Sequence, residues 1–221
     1  MPPTERFKDA VEKGILHRVK EEIDRDPDAW HNDEVERCFP LCKAASCGRL
    51  EIVRYFLNLA RKEGADFLKD YLDDGRAAET WPLHCAVKGQ HLDVVKLLVS
   101  FGADASLKVG IGWTILMTAA YLSDWCIVQY FLVHHDLDVN ATNGSRMSAL
   151  MLACTRKDQD AAPVVKGLLE AGANPTFEDL WGRTALDGAQ GNPEVLRLLQ
   201  VRYQVPCHFL PKPKTRPGLF L

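Results

Sequence analysis

The chain has 221 residues, 47% of them hydrophobic and 26% charged, ordinary usage for a globular protein with enough apolar side chains for a sizeable core. Lys and Arg number 27 against 30 Asp and Glu, and the resulting net charge of −3 gives no bulk attraction to a phosphate backbone, so nucleic acid is not an expected partner. The N-terminus shows no apolar signal segment and no apolar run reaches the ~18 residues of a membrane span, so secretion and membrane spanning are disfavoured and the expected setting is the cytoplasm or nucleus, with no membrane partner.

In chain order the same pattern returns six times: FKDAVEKGILHRV (7–19), LCKAASCGRLEIV (41–53), LHCAVKGQHLDVV (83–95), LMTAAYLSDWCIV (116–128), LMLACTRKDQDAAPVV (150–165) and LDGAQGNPEVL (186–196). Each has a hydrophobic entry, small residues, a polar break and a Val/Ile/Leu ridge. The entries Phe7, Leu41, Leu83, Leu116, Leu150 and Leu186 lie 34, 42, 33, 34 and 36 residues apart, the self-similarity of a repeat array. Copies are expected over about 4–36, 37–78, 79–111, 112–145, 146–181 and 182–200, followed by a Pro-rich basic and apolar tail over 201–221.

Within a copy, a short helix with small apolar residues precedes a bulkier one. Pro82 suits the first helical position, and Leu83, Ala86 and Val87 form an i, i+3, i+4 stripe. Leu92, Val94, Val95, Leu97 and Leu98 supply bulk behind it, so small-in-front, large-behind packing predicts a curved stack. Gly64, Gly102 and Gly172 suit the left-handed position that ends a helix, and Thr114, Ser148 and Thr184 read as N-caps accepting a backbone N–H. Seven cysteines, an odd number lying mostly inside these boxes, read as buried free thiols.

Three irregularities stand out. Nine extra residues precede Trp81: four extend the second helix by about one turn, and five lengthen the loop DFLKDYLDDGRAAETW (66–81). That loop, with Tyr71, Arg76 and Trp81, reads either as a specificity element or as an insertion whose aromatics fold back onto the stack. The fifth copy carries three extra residues in KDQDAAP (157–163), with Pro163 opening its second helix. The tail is either extended along the last copy, covering it with Phe209, Leu210 and Phe220, or a free peptide motif.

Helix, tight turn, helix and projecting turn on this period resemble the ankyrin repeat over residues 5–200. The T-P-L-H box is matched best by Trp81-Pro82-Leu83-His84, and the G-x-L-x-x-V stretch by Gly48-Arg49-Leu50-Glu51-Ile52-Val53; one copy alone keeps the box's His. The resemblance implies an all-α helix-turn-helix solenoid with projecting β-hairpin or turn loops in a curved, right-angled stack. It further implies a non-catalytic adaptor, scaffold or inhibitor holding a protein on the concave face made by turn tips and first helices. By register that face comprises Ile111, Trp113, Arg146, Met147, Trp181 and Arg183 on turns and Lys88, Tyr121, Leu122 and Arg156 on first helices, besides Tyr71, Arg76 and Trp81. Trp, Tyr, Met and Arg are enriched at interface centres, and four basic residues on one side favour an acidic partner segment.

Catalytic chemistry is not expected: phosphate loop, H-E-x-x-H and CxxC are all missing, so neither cofactor nor metal is assigned. The chain reads as a monomer or as part of a hetero-complex. The competing reading is a structural subunit of a larger assembly, using the 66–81 loop and the tail.

Overall fold

The computed structural model describes residues 3–30, 39–73, 81–122, 124–159 and 161–203. The helices are α1 (Pro3–Lys13), α2 (Leu16–Arg25), α3 (Phe39–Ser46), α4 (Leu50–Glu63), α5 (Ala65–Asp73), α6 (Pro82–Lys88), α7 (Leu92–Ser100), α8 (Ile115–Leu122), α9 (Trp125–His134), α10 (Ala149–Cys154), α11 (Ala161–Glu170), α12 (Ala185–Gly188) and α13 (Pro193–Tyr203). Among the described residues β-structure is confined to two isolated bridges, Val109 with Trp113 and Thr142 with Ser148. Setting α5 aside, the helices pair within successive copies. The first helices α1, α3, α6, α8, α10 and α12 contact one another in that order. Behind them α2 meets α4, α4 meets α7, and α9, α11 and α13 follow in turn.

Small residues make this possible. Ala44, Ala45, Ala86, Ala119, Ala120 and Ala153 are fully buried where the short first helices meet, while Phe56, Leu57, Leu98, Phe131 and Leu168 fill the space behind. Close approach is sharpest at Gly167 on α11, where an added Cβ would lie 2.1 Å from the Trp125 ring. Trp125 is accordingly packed against the core of the stack. Across the second-helix layer Lys20 stands over Tyr55, Arg61 over Phe101 and Lys96 over Tyr130, each contact joining one copy to the next.

Thr114, Ser148 and Thr184 stand at the helix starts where the sequence places them. Thr114 Oγ accepts the Met117 N–H at 3.2 Å and Ser148 Oγ accepts that of Met151 at 3.3 Å. Thr184 caps α12 in a capping box, in which its N–H and hydroxyl donate to the Asp187 carboxylate at 2.8 and 3.0 Å. Gly102 and Gly172 end α7 and α11 with φ +99° and +91°, and the next residues' N–H groups, on Ala103 and Ala173, bond back to Leu98 and Leu168. Cys42, Cys85 and Cys154 are buried, but Cys126 is exposed, because its position on α9 faces away from the stack.

The region before Trp81 differs from expectation. Helix α4 is 14 residues against nine for α7, the anticipated extra turn. The segment after Gly64, however, is helix over its first nine residues rather than loop. In α5 the apolar positions Phe67, Leu68, Tyr71 and Leu72 share one face. Trp30 closes it, edge-on to Tyr71 at 5.2 Å and to Phe67 at 5.8 Å, and Tyr71 Oη donates to the Trp30 carbonyl at 3.3 Å. Helix α11 begins at Ala161, two residues ahead of Pro163, which occupies its first turn.

Candidate functional site

The turn between α7 and α8 closes on itself. Val109 and Trp113 exchange both N–H···O bonds at 2.9 Å, and Gly110 (φ +50°) and Gly112 (φ +87°) let the chain reverse between them. The reversal thrusts Ile111 into solvent, 63% exposed. Helix α8 then runs inward: Ile115 to Ala120 are buried, and its last two residues, Tyr121 and Leu122, emerge. Trp113 lies edge-on to Tyr121 with ring centres 5.9 Å apart. Together Lys88, Val109, Gly110, Ile111, Trp113, Thr118, Tyr121 and Leu122 enclose an open, mostly apolar groove of about 370 Å³.

The next two turns add a side chain to the backbone pairing, which here runs from the Asn143 N–H to the Met147 carbonyl at 3.1 Å and from the Asp179 N–H to the Arg183 carbonyl at 2.9 Å. Asn143 Oδ1 accepts the N–H groups of Ser145 and Met147 at 2.9 and 3.0 Å, and Asp179 Oδ1 accepts those of Trp181 and Arg183 at 2.8 and 2.9 Å. Burial alone would raise the Asp179 carboxyl, but the Arg183 and Trp181 N–H groups and the Arg183 guanidinium outweigh it and hold the group below the ordinary carboxylate range. Tip is tied to tip: the Gly144 N–H reaches the Ile111 carbonyl at 2.7 Å, and the Leu180 N–H reaches that of Ser145 at 3.2 Å. Asn140 adds a second tie, taking the Asn174 N–H at 2.8 Å and donating to the Gly172 carbonyl at 3.0 Å.

Five residues expected from sequence, Lys88, Ile111, Trp113, Tyr121 and Leu122, therefore share one groove. Trp181 stands 65% exposed on the last tip with Arg183 stacked 4.8 Å above its ring, and Met147 and Arg183 line a smaller pocket of about 80 Å³. Trp81 is half-buried at the N-terminus of α6, edge-on to His84. Tyr71 is a correction: at 4% exposure, with its hydroxyl on Trp30, it is core and unavailable to a partner. Arg76 lies outside the described residues.

The expected basic side also changes. The Arg156 side chain is 8% exposed, donating to the Ala120 carbonyl at 3.1 Å and pairing with Asp158; Arg183 pairs with Asp179 at 2.8 Å. Both serve the turns. Lys88 and Arg146 remain exposed and pair with no carboxylate among the described residues. Val109, Thr118 and the exposed Leu180 were not anticipated, although Val109 and Leu180 flank turn tips that the repeat register already located.

Under the groove, His84 is 2% exposed. Burial and the neighbouring Lys88 ammonium push it down to about 4, against a weaker upward pull from the Trp113 backbone. Burial pushes the Cys154 thiol far up, which leaves it unreactive. Among the described residues no three His, Cys, Asp or Glu side chains gather to hold a metal ion, and no helix is long and apolar enough to cross a membrane.

A family model described as ankyrin repeats matches residues 7–109, 60–143 and 116–206. The human transient receptor potential cation channel subfamily A member 1 is 29% identical over 154 residues, covering 67% of this chain and 13% of that protein. The palmitoyltransferase AKR1 of Lachancea kluyveri is 28% identical over 205 residues, covering 90% of this chain and 26% of its own length. The chain thus spans at most about a quarter of either relative. Among solved structures, a chain from the complex of the Bdellovibrio bacteriovorus predatory endopeptidase Bd0816 with the immunity protein Bd3460 superposes with a TM-score of 0.70 at 25% identity. The match covers 89% of this chain and 97% of that one.

Proposed function

The chain belongs to the ankyrin-repeat family, whose repeats generally mediate contacts between proteins, and from that premise we propose a non-catalytic adaptor, scaffold or inhibitor that holds its partner on the turn and first-helix face. One observation carries this reading. Ile111, Tyr121 and Leu122, large apolar side chains exposed by 63%, 44% and 39%, converge with Trp113 on a single groove. Exposed apolar residues scattered singly need no explanation, whereas a concave group of aromatic and aliphatic side chains with a polar rim is the anatomy of a binding surface. The endopeptidase–immunity complex is a precedent for this fold in a protein assembly.

The alternative, a structural subunit, relied on the 66–81 segment and the tail. Residues 65–73 spend their apolar face on Trp30, and 74–80 and 204–221 lie outside the described residues, so no observed surface favours it.

The test uses the exposed groove residues, whose change leaves the core alone. Wild type and the double variant Ile111→Ser/Leu122→Ser are immobilised at equal density, matched for helicity by circular dichroism, and offered the same cell extract with quantitative mass spectrometry. Proteins retained by wild type should fall at least about tenfold on the variant, since two truncated contacts near an interface centre cost about 1 kcal/mol or more each. Equal retention of every protein would overturn the assignment.

A further inference from the structure

Arg146 holds a left-handed backbone, φ +59°, at the tip of its turn. Gly112 and Gly182 occupy the corresponding positions 34 residues earlier and 36 later, with φ +87° and +69°. A side chain there costs free energy that glycine avoids, and strain retained at an exposed position invites a functional reading. Gln90, φ +62° in the α6–α7 turn, shows that strain alone assigns nothing. What distinguishes Arg146 is its place, on the tip hydrogen-bonded to the one that forms the groove.

Charge points the same way. Arg156 and Arg183 are neutralised by Asp158 and Asp179, and Lys88 and Arg146 are left without a carboxylate among the described residues. Among the described residues no Asp or Glu lines the groove. An edge-to-face pair such as Trp113 and Tyr121 would suit a cationic guest, but Lys88 on the same lining repels one.

We propose that the row of turn tips holds an extended segment of a partner protein, with a bulky apolar side chain in the Ile111–Leu122 groove and a carboxylate about three residues away on Arg146. The spacing comes from packing: successive helices lie about 8–10 Å apart and extended chain rises about 3.3 Å per residue, so neighbouring tips are about three residues apart along such a segment. One further step leads to Leu180 and Trp181, 58% and 65% exposed, which offer apolar surface beyond the acidic contact. The inference rests on the turn and first-helix face being the contact surface, and adds the chemistry of what it takes.

The full chain is panned against a random dodecapeptide library displayed on phage, and enriched peptides are titrated by fluorescence anisotropy against wild type, Arg146→Gly and Ile111→Ser/Leu122→Ser. Enriched sequences should carry Asp or Glu about three residues from a bulky apolar residue. They should bind Arg146→Gly about tenfold more weakly and weaken with added salt. The same glycine variant should unfold at equal or higher denaturant concentration than wild type, the opposite of what a structural role for Arg146 would give. Peptides that need Ile111 and Leu122 yet bind Arg146→Gly with unchanged affinity would overturn the acidic contact and leave the groove standing. Peptides indifferent to the double variant, or no enrichment, would overturn both.

Discussion

The connection after α4 and the connections after α7, α9 and α11 answer the same need, joining one copy to the next, in opposite ways. The first is long enough to coil into α5, and its aromatics turn inward onto Trp30. The others are tight turns held by backbone or Asn and Asp side chains, too short to fold over themselves, and they leave Ile111 and Trp181 in water. Extra length therefore built core, and brevity built surface. A Tyr or Trp in a connection means nothing until the connection's own conformation is known.

The contrast breaks most visibly if its aromatics are truncated. Trp30→Ala should cost about 3–5 kcal/mol, as for large aromatic deletions in cores, whereas Trp181→Ala should stay within about 0.5 kcal/mol; urea unfolding of the two variants compares the regions directly. If Trp181→Ala proves as costly, the turn tips are core as well.

Acid should act on the tight-turn side. His84 is neutral in the fold with a value of about 4, while the unfolded chain protonates it at its ordinary value of 6.5. Stability is thus full above that ordinary value and falls as the pH drops from there towards about 4, by on the order of 3 kcal/mol. Unfolding free energies measured across that window should decline in wild type and lose most of the decline in His84→Leu. Asp179, whose carboxyl is held low, keeps its contribution throughout that window and loses it only in stronger acid.

Smaller effects probe the turns themselves. Asn140→Ala removes two hydrogen bonds between adjacent turns and should cost about 1–2 kcal/mol; a change below about 0.3 kcal/mol would mean that the tip ladder alone aligns them. Gln90→Gly relieves a left-handed backbone and should stabilise by up to about 1 kcal/mol, read as a raised melting temperature.

Much of this was legible in the sequence because it is carried by register. The six-fold pattern located the helices, the extra turn of α4 and, through Trp113, Tyr121 and Leu122, the residues that share the groove. The features that escaped it depend on local geometry. The Phe67, Leu68, Tyr71, Leu72 spacing carried the signal of an amphipathic helix, but the surplus length of the segment suggested a loop. The burial of Arg156 against Ala120 comes from how a turn folds and has no counterpart in composition. Arg146 could be placed on a tip by counting; its left-handed backbone could not.

Hydroxyl-radical footprinting of the aromatic side chains tests the central claim most directly. In the free chain Tyr121 and Trp181 should be modified readily and Trp30 and Tyr71 protected, and addition of a library-selected peptide should protect Tyr121 and Trp113 while leaving Tyr71 unchanged. Modification of Tyr71 at the rate of Tyr121 in the free chain, or no protection of Tyr121 by bound peptide, would contradict the account.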